Sequence, residues 1–218
     1  MRSKNNATVV FFPLIILTLV LWFLYRGLFN FPVWFDETIG KALFFGLPVW
    51  LYLSVSDGKS VLKTFSPSKI KSGLLLGITV GGVFGFVFSL LSIMQSGGVV
   101  QAVNLFDSSR FWYEFALAIF TGFWETLLFF SFVMTLLREK FHNWSITKHI
   151  LVTAFIFLLF HIPNAFLRYD ISLVAPQLFT LLLFAIGQGF LFYSRKNAYA
   201  LVLSHAIWGM VLLVHAGF

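Results

Sequence analysis

The 218-residue chain contains no cysteine, which removes thiol nucleophiles, thiolate metal sites and disulfides together and leaves the compartment open. Charge is scarce as well, with Asp, Glu, Lys and Arg making up 11% of the residues against 59% hydrophobic. So few charges cannot cover a water-facing surface, and a mean hydropathy of +0.91 defines an integral membrane protein. Acids are the scarcest polar class, eight Asp and Glu against fifteen Lys and Arg. A net charge of +7 would suggest a nucleic-acid partner in a soluble chain. Here the lysines stand in short loops between apolar runs, a pattern of membrane orientation, and no nucleic-acid partner is expected. Three catalytic patterns are missing too. There is no His-Glu-x-x-His, no Asp pair inside a span and no lysine at a span centre, which excludes zincin-like and aspartyl intramembrane proteases and a retinal Schiff base.

What is present is a series of apolar runs rich in aromatics, with 30 Phe and 7 Trp supplying lipid-facing and interfacial surface. Windows at 8–25, 39–55, 73–94, 111–137, 149–166, 173–193 and 198–214 predict seven transmembrane helices. The first helix leaves room for an eighth span or a re-entrant piece. The first window is too long for the apolar part of a signal peptide and ends without a small-residue cleavage pattern, so it reads as a spanning helix. The fold class is therefore all-α, a polytopic helix bundle, and residues 1–218 read as one domain without linker or repeat array.

Basic residues divide unequally between the two sides of this layout. Arg2, Lys4, Lys59, Lys63, Lys69, Lys71, Arg138, Lys140, Lys148, Arg195 and Lys196 fall on one, and only Arg26, Lys41, Arg110 and Arg168 on the other. The positive-inside rule predicts a multi-pass cell-membrane protein with its N-terminus in the cytoplasm and its C-terminus outside. Residues 56–72 read as an ordinary positive-inside loop. Glycines 73, 77, 81 and 85 repeat every fourth residue, a stripe that lets another helix backbone approach closely. A phosphate-binding loop would need a preceding strand, and there is none.

Only three ionisable side chains lie well inside the windows: Glu125, His161 and His205. A charged group at mid-bilayer costs several kcal/mol and is a functional hypothesis by default. Glu114, Lys41 and His215 stand close enough to span ends to reach the interface. Glu114 precedes Glu125 by eleven residues, close to three helical turns, which puts both on one face. Each inner residue alone has a structural reading, a protonated acid or a histidine bonding an adjacent helix. All three together predict a polar site shared by the fourth, fifth and seventh spans. A carboxylate with two imidazoles can activate water, orient it and stabilise an oxyanion. The same Glu125, His161 and His205 also suit a catalytic zinc ion with a fourth position for water, and both assemblies remain open.

The residues around these three resemble a known family. Glu125-Thr126-Leu127-Leu128-Phe129-Phe130 is similar to a Glu-Glu-x-x-x-Arg motif, keeping its leading glutamate, and Phe157-Leu158-Leu159-Phe160-His161 is an intact Phe-x-x-x-His, followed by Ile162-Pro163-Asn164. His205-Ala206-Ile207-Trp208-Gly209 is similar to His-x-x-x-Asn/Asp. These motifs belong to the CPBP (CAAX protease and bacteriocin-processing, or Abi) family, whose members include type II CAAX prenyl endopeptidase-like intramembrane proteases, and the resemblance spans about 111–209.

The resemblance implies that Glu125 activates water with His161 while His205 holds the oxyanion, in an endopeptidase that cuts a membrane peptide or lipidated protein near the cytoplasmic membrane surface. Asn164 and Glu114 are candidate supporting residues. The second glutamate and the arginine of the first motif are replaced by Thr126 and Phe130, and the final Asn/Asp of the third by Gly209. Those departures support an alternative, a weak or inactive member acting as a membrane scaffold or bacteriocin-immunity-like protein. A transporter carrying protons on Glu125 is a third reading, opposed by the lack of an inverted repeat.

Overall fold

The structure is a computed structural model that describes residues 4–56, 58–95 and 109–215; Arg2 lies outside these. Among the described residues it is helical with no strand, as apolar runs in lipid require, since a helix satisfies its own backbone polar groups. Six helices are long and apolar enough to cross a membrane: Val10–Leu28, Val33–Val55, Pro67–Val87, Arg110–Lys140, Ile146–Leu167 and Ile171–Arg195. The seventh expected span is the helix Ala198–His215, and no eighth occurs among the described residues. In chain order the elements are α1 (Lys4–Leu28), α2 (Val33–Val55), α3 (Ile70–Gln95), α4 (Ser109–Glu125 running on through Thr126–Met134 and Thr135–Lys140), α5 (Ile146–Arg168), α6 (Ile171–Arg195) and α7 (Ala198–His215).

α4 is the central rod. After Glu125 its backbone becomes a π-helix over Thr126–Met134, in which Leu128, Phe129, Phe130, Phe132, Val133 and Met134 are all buried. The i→i+5 turns of a π-helix hold more residues than α-turns, which shortens a run longer than one crossing needs. Phe129 meets Phe157 and Phe160 of α5 and Phe45 of α2 edge to face. The outer faces of the surrounding helices expose Leu17, Val20, Trp50, Leu75, Phe155, Phe179 and Phe190, a hydrophobic surface suited to lipid.

The glycine stripe of α3 packs on α7. A Cβ at Gly77 would lie 2.9 Å from the carbonyl oxygen of Ala200, and one at Gly81 would lie 2.9 Å from the Ile207 side chain. Helix α7 carries His205, so the stripe helps to set the position of a site residue.

The basic side is one end of the bundle. There Lys69 Nζ donates to the Lys196 carbonyl at 2.7 Å, Asn197 Nδ2 donates to the Lys69 carbonyl at 3.0 Å, and the Arg138 guanidinium lies 3.9 Å over the Tyr193 ring. Residues 56–72 are more than a solvated loop. Val61 is fully buried, and Thr64 Oγ1 donates to Ser131 Oγ of α4 at 2.9 Å. At the opposite end a buried cluster closes the α1–α2 turn, where Asp36 accepts from the Tyr25 hydroxyl and pairs with Arg26.

Candidate active site

Glu125, His161 and His205 meet as the sequence predicts. Glu125 Oε2 lies 3.4 Å from His161 Nε2 and 3.6 Å from His205 Nε2, with Glu125 and His205 2% and 7% exposed. Oε2 makes no hydrogen bond to the described residues.

The Phe-x-x-x-His spacing has a geometric reason. Four residues apart on one helix, Phe157 stacks against the His161 ring at 4.1 Å between centroids. The Phe157 carbonyl accepts from His161 Nδ1 at 2.8 Å. That bond places the proton of the neutral ring on Nδ1 and leaves the Nε2 lone pair facing Glu125. Two acceptors, Glu125 Oε2 and His161 Nε2, therefore look at each other across the site. His205 is placed by Gly122, where a Cβ would sit 2.8 Å from the Val202 carbonyl and 3.3 Å from His205 Cβ. The edge of Phe184 supports the His205 ring at 4.8 Å.

One sequence expectation needs correction. Lys41 does not reach an interface. It is 3% exposed, with its Nζ 2.6 Å from Glu125 Oε1 and in an ion pair with Glu37 one turn earlier. Glu37 Oε2 in turn accepts from Thr121 Oγ1 at 2.7 Å. A buried lysine therefore does stand inside a span, bound to the acid on which the site centres. The readable signal was the Glu37-x-x-x-Lys41 spacing, an i,i+4 pair in an apolar helix.

The three sequence departures can also be located. Phe130 is 1% exposed among Phe157 and Phe192, so an aromatic core fills the place of the motif's arginine. Thr126 is buried and its hydroxyl has no hydrogen-bond partner among the described residues. Gly209 lines the same cavity as His205 and Asn164.

That cavity has a volume of about 250 Å³. Glu125, His161 and His205 form its inner wall, and Val33, Glu114, Tyr169 and Gln177 its outer part. Both candidate supporting residues line it, and Glu114 also faces Arg110 at 3.7 Å. Every outer residue lies at the end of its helix remote from the basic end. The expectation of a site reaching the basic end is thus corrected, because the helix halves that line the cavity are the opposite ones.

For zinc, the donor types suit the ion, but Lys41 Nζ already sits on Glu125, a positive charge against any dication there. Among the described residues no group of three or more His, Cys, Asp and Glu side chains is arranged to hold a metal. The residues as placed do not fit a zinc centre.

Fold and site together define a multi-pass helical membrane protein with a carboxylate set between two imidazoles inside the bundle. Residues 107–211 match the family model described as Type II CAAX prenyl endopeptidase Rce1-like. The segment that holds Glu125, His161 and His205 is thus similar to the Rce1-like type II CAAX prenyl endopeptidases. No curated protein and no solved structure matches the chain.

Proposed function

We propose that the protein is an intramembrane endopeptidase that hydrolyses a peptide bond of a membrane-embedded peptide or lipidated protein, with Glu125 as general base. The observation that carries this reading is the pair of facing acceptors, Glu125 Oε2 and His161 Nε2 at 3.4 Å. A water between them donates one O–H to each, so its oxygen lone pair is turned toward a scissile carbonyl. Glu125 takes the proton as the oxygen attacks, and a donor from His205 meets the developing oxyanion. The proton then passes to the leaving amine, which completes hydrolysis without a metal.

Cleavage is read from a membrane-peptide library incubated with the purified protein in ¹⁸O-enriched water. The expected products carry one ¹⁸O in the new C-terminal carboxyl, form equally in chelator, and come from protein without stoichiometric zinc. An untouched library overturns the reading in favour of the scaffold or immunity-like alternative, which Thr126, Phe130 and Gly209 favour.

The basic end faces the cytoplasm in this proposal, by the positive-inside rule, so substrate meets the cavity from the other face. Since the chain has no cysteine, single substitutions report sidedness directly. In intact cells a membrane-impermeant maleimide should label Tyr169→Cys and spare Lys71→Cys, both sites being exposed. The reverse pattern inverts the topology.

A further inference from the structure

The first motif lacks its second glutamate and its arginine, and the place of the arginine is closed by Phe130 and its aromatic neighbours. A carboxylate–cation pair nevertheless stands against Glu125, delivered by another helix. We propose that Glu37 and Lys41 of α2 form a positioning pair that supplies from the second span what the fourth span has lost; the proposal rests on the general-base reading of Glu125.

Three observations carry it. Lys41 Nζ binds Oε1, 2.6 Å away, and leaves Oε2 to the two imidazoles. One carboxylate oxygen is therefore held while the other is presented, which fixes the carboxylate plane. Lys41 is itself held, since Glu37 pairs with it and Thr121 Oγ1 donates to Glu37 Oε2 from one turn before Glu125 on α4. The chain Thr121–Glu37–Lys41–Glu125 thus leaves α4, crosses α2 and returns to α4. The backbone of α2 is adapted to this, with π-helical turns over Asp36–Gly40 and Ala42–Gly46 on either side of Lys41, and such turns are frequent at functional sites.

An ammonium in contact with a buried carboxylate stabilises the anion. Besides Lys41, the other charged or titratable groups lining the cavity with Glu125 are His161 from α5, His205 from α7, Glu37 from α2, Glu114 further out on α4, and Tyr169 just past the end of α5. Lys41 is the single Lys or Arg side chain among the residues lining the cavity.

The test is kinetic and spectroscopic, on full-length protein and a peptide the wild type cleaves. In Lys41→Met, kcat should fall about 100-fold, as for a reacting group displaced by about 1 Å, with KM unchanged because the substrate's own contacts remain. Lys41→Arg should restore most of the rate. Infrared difference spectra in membranes at neutral pH should show a protonated-carboxyl stretch in Lys41→Met that is absent from wild type and from Lys41→Met/Glu125→Gln. Where Lys41→Met does not fold, Lys41→Gln replaces it, keeping polar contacts without the charge.

Wild-type kcat in the folded neutral variant overturns the proposal, and so does a loss of rate without the new carboxyl stretch, which marks a merely structural lysine. Failure of the function reading is separate and visible earlier, as absence of cleavage by the wild type.

Discussion

Glu125→Gln should abolish the proposed cleavage, lowering kcat/KM by about 10³-fold or more while the protein stays folded. Glutamine matches glutamate in shape, so the α4 core of Phe129, Phe130 and Phe132 is undisturbed. What the variant loses is the acceptor that takes the water proton in the proposed mechanism, and general-base catalysis is worth about 10²–10⁴. The upper part of that range is expected because, in the proposed mechanism, Glu125 also orients the water together with His161, whose Nε2 lies 3.4 Å from Glu125 Oε2, and groups acting as one unit lose their effects together. Lys41 retains Glu37 in the variant, which limits the penalty of an orphaned buried cation. Size-exclusion chromatography and thermal unfolding in detergent verify the fold, and steady-state cleavage gives the rate. Adding His161→Ala to Glu125→Gln should cost little more. Residual activity within tenfold of wild type in folded Glu125→Gln protein would remove the general base from the mechanism, and with it the reading of the site.

The same residues show how far the sequence could be read. Glu125, His161 and His205 were legible because lipid makes an ionisable group conspicuous and the three sit deep in long apolar windows. The glycine stripe was legible because a repeat of four survives on any straight helix, although its partner, α7, needed coordinates. Lys41 was not legible as a site residue because the apolar window opened at Ile39, while the helix begins at Val33. Starting six residues earlier, the helix carries Lys41 about two turns inward. Window methods place a boundary where charged residue types begin, and Asp36, Glu37 and Lys41 form ion pairs inside the bundle. A buried ion network therefore disguised itself as a span end. The direction of the cavity was hidden for a related reason, since loop charges orient a bundle but do not say which helix halves part from one another.

Gly209→Asn is the complementary prediction, a gain rather than a loss. Gly209 follows His205 by one helical turn and lines the cavity, and the third motif of the resembled family carries Asn or Asp there. A Cβ at Gly209 meets only Ala118 Cβ, at 4.0 Å, an ordinary contact, and its φ is not positive. The site thus accepts a side chain without backbone strain, unlike Gly122, where a Cβ would press on the Val202 carbonyl at 2.8 Å. An amide N–H added beside His205 gives the oxyanion a second donor, and one such donor is worth about 10²–10³ in kcat in well-studied hydrolases. Asn164 already lines the same cavity, so part of that contribution is in place, and the expected increase in kcat is about 10- to 100-fold with little change in KM. Gly209→Ala supplies the bulk without the donor and should leave the rate near wild type. Equal rates in Gly209→Asn, Gly209→Ala and wild type would mean that the carbonyl oxygen is held elsewhere. The assignment of His205 to the oxyanion would then fail, while that of Glu125 to the water would stand.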